Sequence, residues 1–199
     1  MSNDLAFITP LTAAAFAQAL PHDADLWVFG YGSLMWDPGF PFVERRQALL
    51  RGYHRRFCIY SIRHRGTPEC PGLVFGLDCG GSCSGMAFRV SAAAVPTVLD
   101  VLWAREMSTH VYRPRMLQLC LDEGALVMAC AFVVDISHVQ YCIGLDIEES
   151  AKLIRCAVGD SGSNIDYLIN TVEHLELLGI FDHELGDLLD AVVRQSSYS

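Results

Sequence analysis

The sequence predicts an α+β fold: a small, mostly antiparallel β-barrel or curved sheet of about six strands, with helices around it. Strand-like runs cluster between residues 26 and 134, one helical segment interrupts them, and the last third is helical. Hydrophobic residues make up 52% of the 199 residues, which is enough for one sizeable core. No Pro-, Gly- or Ser-rich linker divides the chain. We therefore expect one domain over residues 26–195, behind an N-terminal helical extension of residues 1–25.

The predicted strands are rich in β-branched and aromatic residues, and Gly, Pro or Asp separates them. Asp122-Glu123-Gly124 is short and ends in glycine, which predicts a hairpin between the last two strands. The six predicted strands are residues 26–29, 57–62, 73–77, 85–90, 116–121 and 125–134.

Five helical segments are expected. The first, residues 11–20, is alanine-rich and stops at Pro21, and the second, residues 94–107, interrupts the strands. The remaining three fill the C-terminal third, and the last of them runs over residues 183–194. The predicted cap residues there are Asp146 with Glu149, Gly159, Ser163 and Gly179.

Residues 28–36, VFGYGSLMW, form an apolar strand that runs into a glycine-containing turn. Gly30 and Gly32 free the backbone from side-chain sterics, so that amide groups can turn toward a small anion. The alternative interpretation is an ordinary turn at the end of a strand. Met35 stands where a dinucleotide fingerprint has its third glycine, and this argues against a Rossmann site.

The middle helix is predicted to carry a carboxylate on its apolar face. If the helix extends to Glu106, that carboxylate must be ion-paired or have a raised pKa, because burying an unpaired charge is costly. Either outcome suits general acid–base chemistry. Alternatively, the helix frays near Arg105 and Glu106 is solvated. The apolar face that Glu106 continues consists of Val95, Leu99, Leu102 and Trp103.

The charge of the chain excludes several classes of partner. A formal net charge of −9 argues against nucleic acid or an anionic membrane surface, and the absence of an 18-residue apolar run argues against membrane insertion. Seven arginines between residues 45 and 65 are a local exception. They could attract a small anionic substrate, or they could form a solvated strand face. The N-terminus lacks the pattern of a signal peptide, so we expect a cytosolic location.

Eight cysteines are present, and in a cytosolic chain we expect most of them to be reduced core residues. Cys79 and Cys83 have no matching His or Cys pair, so the sequence predicts no metal site. Cys83 as a nucleophile would need a His partner that the sequence does not place. We expect no cofactor.

Taken together, these motifs resemble the ChaC family of glutathione-specific γ-glutamylcyclotransferases. The match runs from Trp27 to about Leu189. One departure is Ile143, which stands where the family usually has a glycine, with Gly144 following it. The matching segments are residues 28–36, 51–57 (RGYHRRF), 65–69 (RGTPE), 71–74 (PGLV), 80–83 (GGSC), 105–107 (REM), 112–114 (YRP) and 161–168 (SGSNIDYL).

The resemblance implies a γ-glutamylcyclotransferase-like barrel with peripheral helices, a lyase that converts glutathione to 5-oxoproline and Cys-Gly, and Glu106 as the catalytic residue. It also implies that the loop grips the γ-glutamyl group. Two alternatives stay open: a cyclotransferase for other γ-glutamyl amines or peptides, and a non-catalytic regulator of cation transport. The sequence does not indicate an oligomeric state. The expected substrate-binding residues are Gly30, Tyr31, Gly32, Ser33, Leu34, Met35, Tyr112 and Tyr167.

Overall fold

The computed structural model describes residues 12–196 and contains a closed β-barrel with α-helices, which confirms the predicted α+β fold. The barrel strands follow the order β1-β3-β2-β4-β5. β1 runs antiparallel to β3 and parallel to β5, and β2 runs antiparallel to β4. The five barrel strands are β1 (Leu26–Gly30), β2 (Glu44–Ser61), β3 (Gly72–Val90), β4 (Tyr112–Leu121) and β5 (Leu126–Val134).

Five α-helices and a two-stranded sheet complete the described residues. The short sheet pairs β6 (Val158–Gly159) with β7 (Gly162–Ser163). Within residues 12–196, no helix combines the length and the apolar character that a membrane span requires. The helices are α1 (Ala13–Gln18), α2 (Val95–Glu106), α3 (Ile147–Cys156), α4 (Asn164–Leu177) and α5 (His183–Ser196).

The chain divides into two compact units. The first contains the described residues up to 52 together with residues 82–133, and the second contains residues 53–81 and those from 134 onward. The long strands β2 and β3 therefore each contribute one part to each unit.

The first unit buries the central residues of β1 and one face of α2. Val28 and Phe29 of β1, and Leu99 and Leu102 of α2, have no exposed surface. Removing such side chains from water is the main favourable contribution to folding. The short helix α1 packs on α2, with the rings of Phe16 and Trp103 5.2 Å apart. The residues of α1 fall inside the predicted N-terminal helix, and residues 1–11 lie outside the described residues.

The second unit confirms most of the predicted caps. Asp146 and Glu149 form a reciprocal capping box at the start of α3, and the Ser163 hydroxyl accepts the amide of Asp166 at the start of α4. Gly179, with φ of 70°, follows α4, as a glycine after a helix end is expected to do. Gly159 does not end α3 as predicted. That helix stops at Cys156, and Gly159 belongs to β6.

The strand boundaries also differ from prediction, because two predicted strands are one. Residues 73–77 and 85–90 both lie in β3, which continues through Gly80 and Gly81 at φ of 102° and 63°. Because glycine tolerates these left-handed torsions, the strand continues through a sequence whose pattern is typical of a turn. β2 begins at Glu44, before the predicted residue 57, and its first part has Arg45 and Arg51 at exposed positions.

The arginine-rich stretch forms salt bridges within each unit. Arg55 is the most deeply placed, with a side chain only 2% exposed and its Nη1 3.1 Å from Asp182 Oδ2. Arg56 also pairs with Asp78 and Arg63 with Asp160, and Arg46 pairs with Glu44, Asp122 and Glu123.

Candidate active site

The glycine loop leaves the barrel where β1 ends. Residues 33–35 form a single 3₁₀ turn, closed by the Met35 amide, which donates to the carbonyl of Gly32 at 2.8 Å. The first amides of a helical turn have no acceptor inside that turn. The amides of Gly32, Ser33 and Leu34 accordingly have no acceptor among residues 12–196. The predicted anion nest is thus narrower than residues 30–35, since the Met35 amide is already used.

Tyr31 has a structural contact at the start of the loop. Its side chain is buried, and its hydroxyl donates to the Phe132 carbonyl on β5 at 2.8 Å. This hydrogen bond fixes the loop to the barrel wall. The tyrosine predicted to bind substrate therefore also positions the turn that follows it.

Two glycines at this site lie close to neighbouring residues. A Cβ on Gly30 would lie 3.0 Å from the Cβ of Leu34, so a side chain there would crowd the 3₁₀ turn. A Cβ on Gly85 would lie only 2.3 Å from the Gly30 carbonyl oxygen. Sequence reasoning did not identify Gly85, because only the pairing of β1 with β3 brings it beside the loop.

Glu106 is the last residue of α2, so the helix does not fray before it. The following amide, of Met107, donates to the Trp103 carbonyl at 3.0 Å and completes the helix end. The Glu106 side chain is 17% exposed. Burial raises the pKa of the Glu106 carboxyl above its ordinary value of 4.5, and the charge of Arg105 partly offsets that rise. The carboxylate is both ion-paired and raised in pKa, the two outcomes expected from its place on the apolar face.

Arg105 connects the loop to Glu106. Its Nη2 donates to the Ser33 hydroxyl and its Nη1 to the Asp37 carbonyl, both at 2.8 Å, while its Nε lies 3.4 Å from Glu106 Oε1. The glycine loop and the carboxylate are therefore brought together through one guanidinium. Sequence reasoning did not single out Arg105 as a site residue, although Arg105 stands next to Glu106 and within the family-matching segment 105–107.

The two predicted tyrosines fall in different units. Tyr112 is half-buried at the start of β4, in the unit that contains the loop and Glu106. Tyr167 lies on α4 in the second unit, where its ring packs against Phe57 and Phe75 and the Arg65 guanidinium stacks 5.1 Å from its centre.

Ile143, the departure from the family pattern, is 76% exposed in the second unit. The left-handed torsion of this loop falls on the next residue, since Gly144 has φ of 80°. The glycine that follows Ile143 thus supplies the backbone freedom the turn requires.

Comparison with known proteins identifies the family of this chain. The protein family described as ChaC-like protein matches residues 26–195. The chain is 39% identical over 183 residues to the glutathione-specific γ-glutamylcyclotransferase of Escherichia coli K12, covering 90% of this chain and 79% of that protein. It is 31% identical over 190 residues to human glutathione-specific γ-glutamylcyclotransferase 1, covering 92% of this chain and 86% of the relative.

The fold has a solved counterpart. A crystal structure of the yeast γ-glutamyl cyclotransferase specific to glutathione superposes with a TM-score of 0.77, at 23% identity, and covers 86% of this chain and 96% of the yeast chain. At that identity the likeness establishes the fold. The match to the family over most of the chain, together with relatives above 30% identity, shows that this chain belongs to the ChaC-like family.

Proposed function

We propose that this chain is a glutathione-specific γ-glutamylcyclotransferase with Glu106 as its general acid–base. The observation that carries the proposal is a carboxylate of raised pKa that Arg105 connects to a glycine loop whose first amides have no acceptor among residues 12–196. The names of the relatives in bacteria, animals and fission yeast support the same activity.

The reaction is an intramolecular displacement. The α-amine of the γ-glutamyl group attacks its own γ-carbonyl carbon, a five-membered lactam closes, and the bond from that carbon to the cysteinyl nitrogen breaks. The products are 5-oxoproline and Cys-Gly. Because the nucleophile is tethered to its target, a well-oriented substrate gains about 7–11 kcal/mol over a bimolecular reaction. The enzyme has to fold the substrate and move a proton.

Glu106 would move that proton. At neutral pH the α-amine is an ammonium ion, which cannot attack until a base removes a proton. The attacking nitrogen loses a second proton as the lactam forms. One of the two protons is delivered through Glu106 to the departing nitrogen, which leaves as a neutral amine, and the other passes to solvent. A raised pKa suits both steps, because it brings the carboxyl closer to the working pH, and general acid–base catalysis of this kind contributes about 10²–10⁴-fold.

The loop would bind the other end of the glutamyl group. Its α-carboxylate is an anion, and backbone amides that converge on an anion form charge-assisted hydrogen bonds. In this proposal the amides of Gly32, Ser33 and Leu34 hold the carboxylate, and Gly30, Tyr31 and Met35 shape the turn. Tyr112, which lies in the same unit as the loop and Glu106, is proposed as a further hydrogen-bond donor to the substrate.

A second candidate is a cyclotransferase that accepts other γ-glutamyl amines. It is favoured by the 36% identity over 177 residues to γ-glutamylcyclotransferase 2-3 of Arabidopsis thaliana, whose name does not specify glutathione. This candidate uses the same carboxylate and loop and differs in how it accommodates the leaving group. A regulator without catalytic activity fits less well, because it has no use for a buried carboxylate.

The experiment that tests the proposal compares two substrates. Purified protein is incubated separately with reduced glutathione and with γ-glutamyl-alanine, and 5-oxoproline is quantified. We expect glutathione to be turned over with kcat/KM at least about tenfold higher, a difference typical of leaving-group recognition. Preference for γ-glutamyl-alanine would establish the second candidate. A folded protein that releases 5-oxoproline from neither substrate would contradict both cyclotransferase candidates and favour the regulator.

A further inference from the structure

Every nitrogen of the Arg105 guanidinium has a partner at the candidate site. Nη2 donates to the Ser33 hydroxyl, Nη1 donates to the Asp37 carbonyl, and Nε faces Glu106 Oε1. Two of these contacts hold the glycine loop, and the third pairs Arg105 with the next residue of α2. The partners are 72 and 68 residues away along the chain for Ser33 and Asp37, so the contacts depend on the folded barrel.

We propose that Arg105 is a positioning residue that fastens the loop at Ser33 and Asp37 to the helix end carrying Glu106. This inference rests on the proposed function, since it concerns the alignment of the amides that hold the substrate with the group that moves the proton. Arg105 has its own side-chain nitrogens committed to the protein, so it acts through the loop and Glu106.

The geometry requires arginine rather than any cation. A guanidinium presents donors in a planar, rigid fork, so three partners in different directions can be held at once. A lysine ammonium carries the same charge at a single point on a flexible stem and cannot span them. Gly39, two residues after Asp37, has φ of 70°, and a Cβ added there would lie 3.5 Å from Arg105 Nη1, an ordinary van der Waals contact.

The charge of Arg105 has a separate effect on Glu106. Arg105 is the charged group that α2 places against the Glu106 carboxylate, and it holds the pKa of that carboxyl below the value that burial alone would give. The loop, residues 31–39, contributes two groups that contact Arg105, the Ser33 hydroxyl and the Asp37 carbonyl. Asp37 carries the only carboxylate in that segment. Removing the charge should therefore raise the pKa of Glu106 further.

Two variants separate the fork from the charge. Arg105→Lys keeps the charge and loses the fork, so we expect kcat/KM to fall by about 10–100-fold, with most of the loss in a raised KM, because a misplaced binding loop costs up to about 10²-fold. Arg105→Met loses both, so the acid limb of its kcat/KM profile should also move to higher pH. The matched control is Arg115→Lys on an exposed position of β4, which should match wild type in both measurements.

A readout independent of activity completes the test. Hydrogen exchange in a peptide spanning residues 33–37 should be faster in Arg105→Lys and Arg105→Met than in wild type, with exchange in β1 unchanged. Combining Ser33→Ala with Arg105→Lys should lower kcat/KM by less than the product of the two single effects, because both substitutions remove the same contact, between Ser33 and Arg105.

The inference is overturned if Arg105→Lys keeps wild-type kcat/KM and wild-type exchange over residues 33–37, or if Arg105→Met leaves the acid limb in place. Failure of the proposed function looks different, since wild-type protein would then release no 5-oxoproline. In that case the hydrogen-exchange comparison alone decides whether Arg105 fastens the loop.

Discussion

At the scale of single residues, Glu106 carries a cost that its surroundings only partly offset. The Glu106 side chain is 17% exposed, so its carboxylate loses most of its hydration. The charge of Arg105, 3.4 Å away, stabilises the carboxylate and offsets part of that cost. The protonated form avoids the cost. An uncharged side chain in place of Glu106 should therefore not destabilise the fold. Stability can be measured separately from activity to test this.

The sign of this effect on stability follows from linkage. The pKa of Glu106 is raised in the folded chain above its ordinary 4.5, so the folded state binds the proton more tightly than the unfolded state does. The contribution of the group to stability is therefore fully present below the unfolded pKa and is lost as pH rises through the folded pKa.

We predict that Glu106→Gln is more stable than wild type at pH 7–8 and equally stable near pH 4. Glutamine fills the same space without a charge to desolvate. Thermal unfolding followed by circular dichroism at pH 4, 6 and 8 measures this, and each 1 kcal/mol of difference corresponds to about 2–4 °C in Tm. A difference in Tm that stays constant across this pH range would contradict the assigned direction of the pKa shift.

At the scale of elements, one side chain joins the start of α4 to the start of β3. Asn164 has no exposed surface. Its Oδ1 accepts the Leu73 amide at 2.6 Å, and its Nδ2 donates to the Leu73 carbonyl at 2.8 Å. Gly72 permits this approach, because a Cβ there would lie 2.5 Å from Asn164 Oδ1. The second unit therefore depends on a polar contact between residues 91 positions apart.

Replacing Asn164 by alanine should destabilise the protein by about 2–6 kcal/mol, because two buried backbone groups of Leu73 then lose their partner at about 1–3 kcal/mol each. Denaturant unfolding measures the loss. The matched control is Asn170→Ala on the exposed face of the same helix, expected to change stability by less than about 0.5 kcal/mol. Equal effects of the two substitutions would show that the pair of hydrogen bonds contributes little.

Elements whose signals are local were predicted well. Asp146, Ser163 and Gly179 act within one helical turn of their own position, and the structure has each of them at a helix end. Elements that depend on partners were not. β3 continues through Gly80 and Gly81, because the closed barrel supplies strand neighbours that a local sequence pattern does not reveal.

At the scale of the whole molecule, the cysteines show what composition predicts and what it leaves out. Burial raises the pKa of Cys58 and Cys130 to about 12 and that of Cys142 to about 11, as expected for small core residues. Cys58, Cys83, Cys130 and Cys142 are buried, whereas Cys79 and Cys156 are exposed. A count of thiols does not say which residues face solvent.

The sequence predicted the loop and Glu106 as separate parts of the candidate site, but it did not predict the contacts that connect them. The loop at residues 30–35 and Glu106 followed from glycine spacing, helical periodicity and a family resemblance. Arg105, Gly85 and the hydrogen bond from Tyr31 to Phe132 did not, because each depends on residues brought together across long stretches of chain. Such contacts are set by strand pairing, and a single sequence does not reveal the register of that pairing.

Product release by wild type and by Glu106→Gln tests the central claim most directly. Purified wild-type protein, incubated with reduced glutathione at neutral pH, should release 5-oxoproline and Cys-Gly in equal amounts, and Glu106→Gln should release them about 10²–10⁴-fold more slowly. Titration calorimetry should show that the variant still binds glutathione, because the loop that holds the glutamyl group is intact. Turnover by Glu106→Gln close to that of wild type would contradict the assignment of Glu106 as the general acid–base.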